Sequence, residues 1–222
     1  MSNAPTPSPS VLALRQRMSF ERMGPYEQAC SGDLDKAFAL YEWNCTVSGA
    51  FFEALGLLEV ALRNALHDQL ARWHTARSQT GRWYDDPSGV LEARRTQDIA
   101  DARWRLQRQN KAETPGGLVT ELSFGFWRFL LAGRYESSLW TPALRHAFPG
   151  LRPARRDTVY LPVNELVRLR NRVAHHEPIY NRPLLTLHGD LLRVAGYVDQ
   201  DLASWIGTFS RVPALLLVRP TL

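Results

Sequence analysis

The chain has 222 residues, of which 45% are hydrophobic, enough to bury a core in one domain or a closely packed pair of subdomains. Its 27 Lys and Arg against 22 Asp and Glu leave a net charge of +5, which permits a nucleic-acid partner. Nearly all of that charge is arginine, with lysine only at Lys36 and Lys111, a skew equally expected from GC-rich coding. The two cysteines, Cys30 and Cys45, fit neither a disulfide framework nor a zinc site and read as small core residues. No unbroken run of about 18 apolar residues occurs, so no membrane-spanning helix is expected. The first residues lack a basic start and an apolar stretch of signal-peptide type, and cytoplasmic residence follows as the default.

Residues 1–10 are rich in Pro, Ser and Thr and read as a disordered tail. Asp33 is placed to cap a helix that starts at Leu34. Phe38, Tyr41, Cys45, Phe52, Leu55, Leu58, Leu62 and Leu66 then recur at helical spacing to about Trp73. That length predicts two helices, or one kinked near Ser48-Gly49. His67 and His74 fall on its expected surface.

Thr75 to Val90 is polar and glycine-containing, a connection. Leu91 to Gln109 predicts an exposed, charged helix with a narrow buried face of Ile99, Ala102 and Leu106. Thr114-Pro115 marks a further helix start. The aromatic block Glu121 to Leu130 is assigned to packing, and Arg134 to Phe148 to short helical pieces broken at Pro142 and Pro149. A central helix is expected from about Arg155 to His176, ended by Pro178, and two closing helices over Leu184–Val198 and Gln200–Phe209. No segment alternates with period two. The fold class is all-α, a helical bundle.

Chemistry concentrates in Arg170-Asn171-Arg172-Val173-Ala174-His175-His176. Asn171 and His175 share one row of a helix, and Arg172 and His176 the next. Arg170 and His175 are about 140 degrees apart on an ideal helix, so they meet only if the helix unwinds at His175 or two copies face each other. A helix C-terminus favours protonated histidine. Histidine exchanges protons near neutral pH, and arginine presents a charged fork to phosphate. Such a set can serve metal-free phosphodiester cleavage. It can equally be a solvated helix end, and adjacent histidines point to different faces, against a metal site.

With its flanks from Leu169 to Asn181, this segment resembles the signature of the Abi-like proteins of bacterial abortive infection, within the HEPN superfamily. The superfamily signature is Arg, four to six residues, then His, with a polar residue often after the Arg. Arg170 with either His175 or His176 fits, and Asn171 fills the polar slot. The blocks Glu121 to Leu130 and Leu58 to Leu66 are similar to other family motifs, and the likeness spans roughly residues 20–218.

The resemblance implies a HEPN-like bundle with additional N-terminal helices, one domain over 11–218, with N-terminal helices over about 11–110 and the signature-bearing half over about 114–218. It implies a metal-independent, cofactor-free endoribonuclease used in phage defence or as a toxin. Arg170, Asn171 and His175 would be catalytic, and His176, Arg172, Glu59, Arg63 and Tyr180 supporting or RNA-binding. RNA, a second copy docking through Arg170–His176 and an antitoxin or regulatory partner are the implied partners, with no membrane. A non-catalytic RNA-binding or protein-interaction module on the same fold is the alternative.

Overall fold

The computed structural model describes residues 9–77 and 79–222. Among them every regular element is helical and none is a strand. The helices are α1 (Pro9–Met18), α2 (Phe20–Ala29), α3 (Leu34–Ala76), α4 (Ala93–Arg108), α5 (Pro115–Glu121), α6 (Phe124–Leu130), α7 (Arg156–Ala174), α8 (Leu184–Val198), α9 (Gln200–Phe209) and α10 (Val212–Leu217). Of the expected disordered tail, residues 1–8 lie outside the described residues, and Pro9 and Ser10 already belong to α1.

Local signals set most helix starts. The Asp33 carboxylate accepts the Lys36 N–H at 3.1 Å, and Thr114 accepts the Gly117 N–H at 3.0 Å ahead of Pro115. Leu122 is extended and Ser123 caps Phe126, so the aromatic block starts a helix of its own. Phe124, Phe126, Trp127 and Leu130 are all buried, as expected of packing residues.

Of the two forms expected for the long apolar stretch, the divided one fails: α3 is a single helix of 43 residues, not divided at Ser48-Gly49. Leu40, Val47, Phe51, Leu58, Leu62 and Leu66 are each 0% exposed and recur along it in one continuous stripe. Glycine in a helix interior costs about 1 kcal/mol relative to alanine, less than burial of any one of these leucines contributes. By length and composition α3 is able to cross a membrane, with a mean hydropathy of 1.5 over 18 residues. Polar residues interrupt its apolar ones, so it has no unbroken run, and 39% of that 18-residue stretch is buried inside the fold.

Two compact units divide the chain: Met1–Ala54, Leu169–His188 and Ser210–Leu222 form the first, and Leu55–Arg168 with Gly189–Phe209 the second. In the first, Trp43 donates from its indole N–H to the Leu215 carbonyl at 2.8 Å, which seats α10, a helix with no sequence forecast. Arg211 and Glu53 form a two-pronged ion pair, and so do Arg15 and Glu27. Cys30 is buried, but Cys45 is exposed, contrary to its assignment as a core residue.

In the second unit Trp83 packs on Trp127 at 5.9 Å and donates its indole N–H to His67 Nδ1 at 2.9 Å. His67 is half-buried and His74 is 4% exposed, so neither is a surface histidine. The interaction of α3 with the Trp83 turn, absent from any helical-face count, covers His67. α4 buries Ile99, Ala102 and Leu106 as expected, together with Arg95. Gly150 lies against the carbonyl of Gly196, where a Cβ would stand 2.5 Å away, and donates its N–H to the Tyr197 carbonyl. Only glycine fits that approach.

Candidate functional site

α7 ends in a hydrogen-bonded loop built from the signature itself. The His175 N–H still bonds the Asn171 carbonyl at 3.0 Å, as in a helix. The next residue, His176, turns to φ 55, in the left-handed region usually given to glycine. Its N–H returns to the Val173 carbonyl at 3.0 Å, and the Glu177 N–H to the Arg172 carbonyl at 2.8 Å. This pair of bonds satisfies the last carbonyls of α7. The chain therefore unwinds at His176, one residue beyond the position the spacing suggested.

Four side chains hold that loop. Buried Asn44 of α3 accepts the N–H groups of Ile179 and Tyr180 through its Oδ1, at 2.8 and 3.0 Å. Arg172 donates twice to the Pro178 carbonyl, at 3.2 and 2.9 Å, with the Glu177 carboxylate 3.5 Å away. Tyr180 is 8% exposed, and its hydroxyl donates to the Pro25 carbonyl at 2.7 Å. Arg22 of α2 donates to the carbonyl of His176. Arg172 and Tyr180, grouped in the sequence with RNA-binding residues, thus spend these polar groups on the protein's own main chain.

A groove of about 540 Å³ opens where α3 of the first unit meets the end of α7. Its α3 wall carries Cys45, Gly49 and Phe52, on one helical face; its α7 wall carries Arg170, Ala174 and His176. Phe52 is 54% exposed, and a Cβ added at Gly49 would meet nothing within 4 Å, so the missing side chain deepens the groove. Arg170 is half-buried and His176 exposed. The groove thus joins Arg170 with His176. Asn171 and His175 are exposed and do not line it.

Tyrosines lie around the α2–α3 side of this unit. Tyr26 packs edge-to-face on Tyr41 and tilted against Tyr180, with ring centroids 5.2 and 5.1 Å apart. Burial pushes the phenols of Tyr26, Tyr41 and Tyr180 above their ordinary range, so all three stay neutral and serve as packing.

Glu59 and Arg63 fall in the second unit, both half-buried on α3, and the Nε of Arg63 is buried without a hydrogen-bond partner. Among the described residues no three His, Cys, Asp or Glu side chains are placed to hold a metal ion. Sequence reasoning missed Asn44 and Arg22. Asn44 left a signal, a polar residue inside the stripe between Leu40 and Val47; Arg22 left none.

No family model, curated protein or solved structure matches the chain.

Proposed function

We propose that this protein is a metal-independent endoribonuclease of the HEPN type, acting in phage defence or as a toxin. In this reading the 2′-hydroxyl of an RNA attacks the adjacent phosphorus and its proton passes to His175. The 5′-oxygen of the next nucleotide leaves and takes that proton back from His175, which acts first as base and then as acid, and the products are a cyclic phosphate and a free 5′-hydroxyl. Arg170 stabilises charge on the phosphate oxygens, and Asn171 orients the phosphate. The observation that carries the reading is the shared groove of Arg170 and His176, with Asn171 and His175 open to solvent at the same helix end.

The same groove supports a homodimer. It is lined mostly by apolar groups, and a second copy docking over Phe52 would remove that ring from water and bring two Arg170–His176 segments to one cleft. A monomeric wild type at micromolar concentration removes this part of the proposal.

The test is RNA cleavage in the presence of EDTA. Arg170→Ala and His175→Ala are expected to abolish cleavage while melting as the wild type does, and a substrate with 2′-deoxy sugars is expected to resist. His176→Asn, which keeps a residue tolerant of positive φ, separates the roles of the two histidines. Equal cleavage by wild type and the Arg170 and His175 variants sinks the assignment.

A non-catalytic RNA-binding or protein-interaction module is the second reading. It is favoured by the placement of His175 off the groove that Arg170 lines. It predicts binding without product and little effect of His175→Ala.

A further inference from the structure

The second unit holds a separate concentration of positive charge around one aromatic ring. The guanidinium carbons of Arg95, Arg128 and Arg134 lie 4.2, 4.7 and 5.8 Å from the centroid of Phe129. Arg95 comes from α4, Arg128 and Phe129 from α6, and Arg134 from the 3-10 turn Gly133–Tyr135. Arg94 adds a fourth, more exposed cation.

Two carboxylates answer these four arginines. Asp98 lies 2.9 Å from Arg95 and 3.6 Å from Arg94, and Glu92 pairs with Arg134. Among the described residues no carboxylate pairs with Arg128. Its Nε is buried without a hydrogen-bond partner, as is the Nε of Arg95. Burial first, then the neighbouring charges of Arg94 and Arg128, work against the charged form of Arg95, which Asp98 partly offsets.

Guanidinium groups crowded at a partly buried surface repel one another more than they would in water. The ring of Phe129 attracts them, but a neutral ring supplies no anion. An incoming phosphate oxygen supplies one, and the planar fork of arginine matches phosphate geometry. Arg134 is 54% and Arg94 74% exposed at the side chain, so a ligand reaches the cluster without opening the core.

We propose that Arg128 and Arg134, gathered with Arg95 around Phe129, form a phosphate-binding surface, with Arg94 as its neighbour across Asp98, that holds the phosphodiester backbone of single-stranded RNA. The choice of RNA as the polyanion rests on the ribonuclease reading; the phosphate chemistry stands without it.

The test is binding of a short, labelled single-stranded RNA by anisotropy across a salt series, with all proteins carrying Arg170→Ala so that no substrate is consumed. Inorganic polyphosphate is the second probe, as competitor and by itself. Arg128→Gln and Arg134→Gln are each expected to weaken RNA binding and to lower the slope of log affinity against log salt by about 0.7. Arg128→Lys keeps the charge and is expected to retain the slope, and polyphosphate is expected to displace the RNA. Thermal melts verify that each variant is folded.

Affinity and slope in folded Arg128→Gln equal to those of the Arg170→Ala parent overturn the proposal. So does a lysine variant that binds as poorly as the glutamine one, which marks a packing role, and so does a parent protein that binds neither probe. Polyphosphate binding that depends on Arg128, with no RNA binding, removes RNA as the ligand. Binding that depends on Arg128 in a protein whose wild type never cleaves RNA sinks the ribonuclease reading and leaves this surface standing.

Discussion

The Arg22 guanidinium donates a hydrogen bond to the main-chain carbonyl of His176, across 154 positions of sequence. His176 is the residue that turns to φ 55 and ends α7. A helix from the N-terminal region therefore grips the one peptide at which the signature leaves helical geometry. That grip helps to hold a histidine where glycine would be conformationally cheaper.

Histidine in the left-handed region costs on the order of 1–2 kcal/mol, and glycine gives back part of the gain through its freer unfolded chain. His176→Gly is therefore expected to stabilise the protein by about 0.5–1 kcal/mol, raising Tm by roughly 2 °C in a calorimetric scan. If the imidazole serves RNA cleavage, activity falls as Tm rises, a trade that a purely structural residue does not make. A lower Tm would show that the side chain of His176 contributes packing that outweighs the backbone strain.

Asn44→Ala removes the acceptor for two buried N–H groups, those of Ile179 and Tyr180. Each unsatisfied donor costs about 1–3 kcal/mol, so a loss near 2–4 kcal/mol is expected in urea unfolding. Amide exchange at Ile179 and Tyr180 is expected to accelerate more than exchange in α8. Unchanged protection at both amides would contradict the role given to Asn44.

The hydroxyl of Tyr26 is buried, with no hydrogen-bond partner, in a residue that is 0% exposed. Its desolvation is an uncompensated cost of about 1–3 kcal/mol. Tyr26→Phe keeps the ring contacts with Tyr41 and Tyr180 and removes that cost, so Tm is expected to stay level or rise. A clear fall in Tm counts against an unpartnered hydroxyl.

Burial holds His67 and His188 below their ordinary value of 6.5, with Asp68 opposing the shift weakly at His67. His67 also accepts the Trp83 indole N–H at its Nδ1, which a protonated ring cannot do, whereas at His188, whose Nε2 lies 2.9 Å from Ser210 Oγ, burial alone disfavours the charged form. Between the lowered native value and 6.5 the unfolded chain binds more protons. Stability from these groups is thus present above about pH 6.5 and is lost as pH falls through their native values. A Tm that is level above pH 7 and declines below 6.5 is expected, with a shallower decline in His188→Gln. A decline equally steep in that variant assigns the acid sensitivity elsewhere.

Much of the fold was legible because its signals are local. The boundaries Leu184–Val198 and Gln200–Phe209 agree with α8 and α9, and Asp33, Thr114 and the buried face of α4 stand where periodicity and caps put them. The site was legible in part. Pro178 announced the end of α7, but not that His176 would face the groove with Arg170 while His175 would not. One residue of left-handed backbone decides that, and the bonds of Asn44 and Arg22 that accompany it come from other places in the chain.

By itself, then, the sequence determined an all-helical protein, its helix caps and a cluster of Arg, Asn and His at one helix end. These follow from contacts within a few residues, where side-chain chemistry and a 3.6-residue repeat suffice. Only the tertiary structure decided that α3 runs unbroken past Gly49, that Cys45 is exposed while His74 is buried, and that Tyr180 and Asn44 hold the loop after α7. Each of those depends on which distant groups cover a residue or accept its hydrogen bonds, and no periodicity along one helix carries that information.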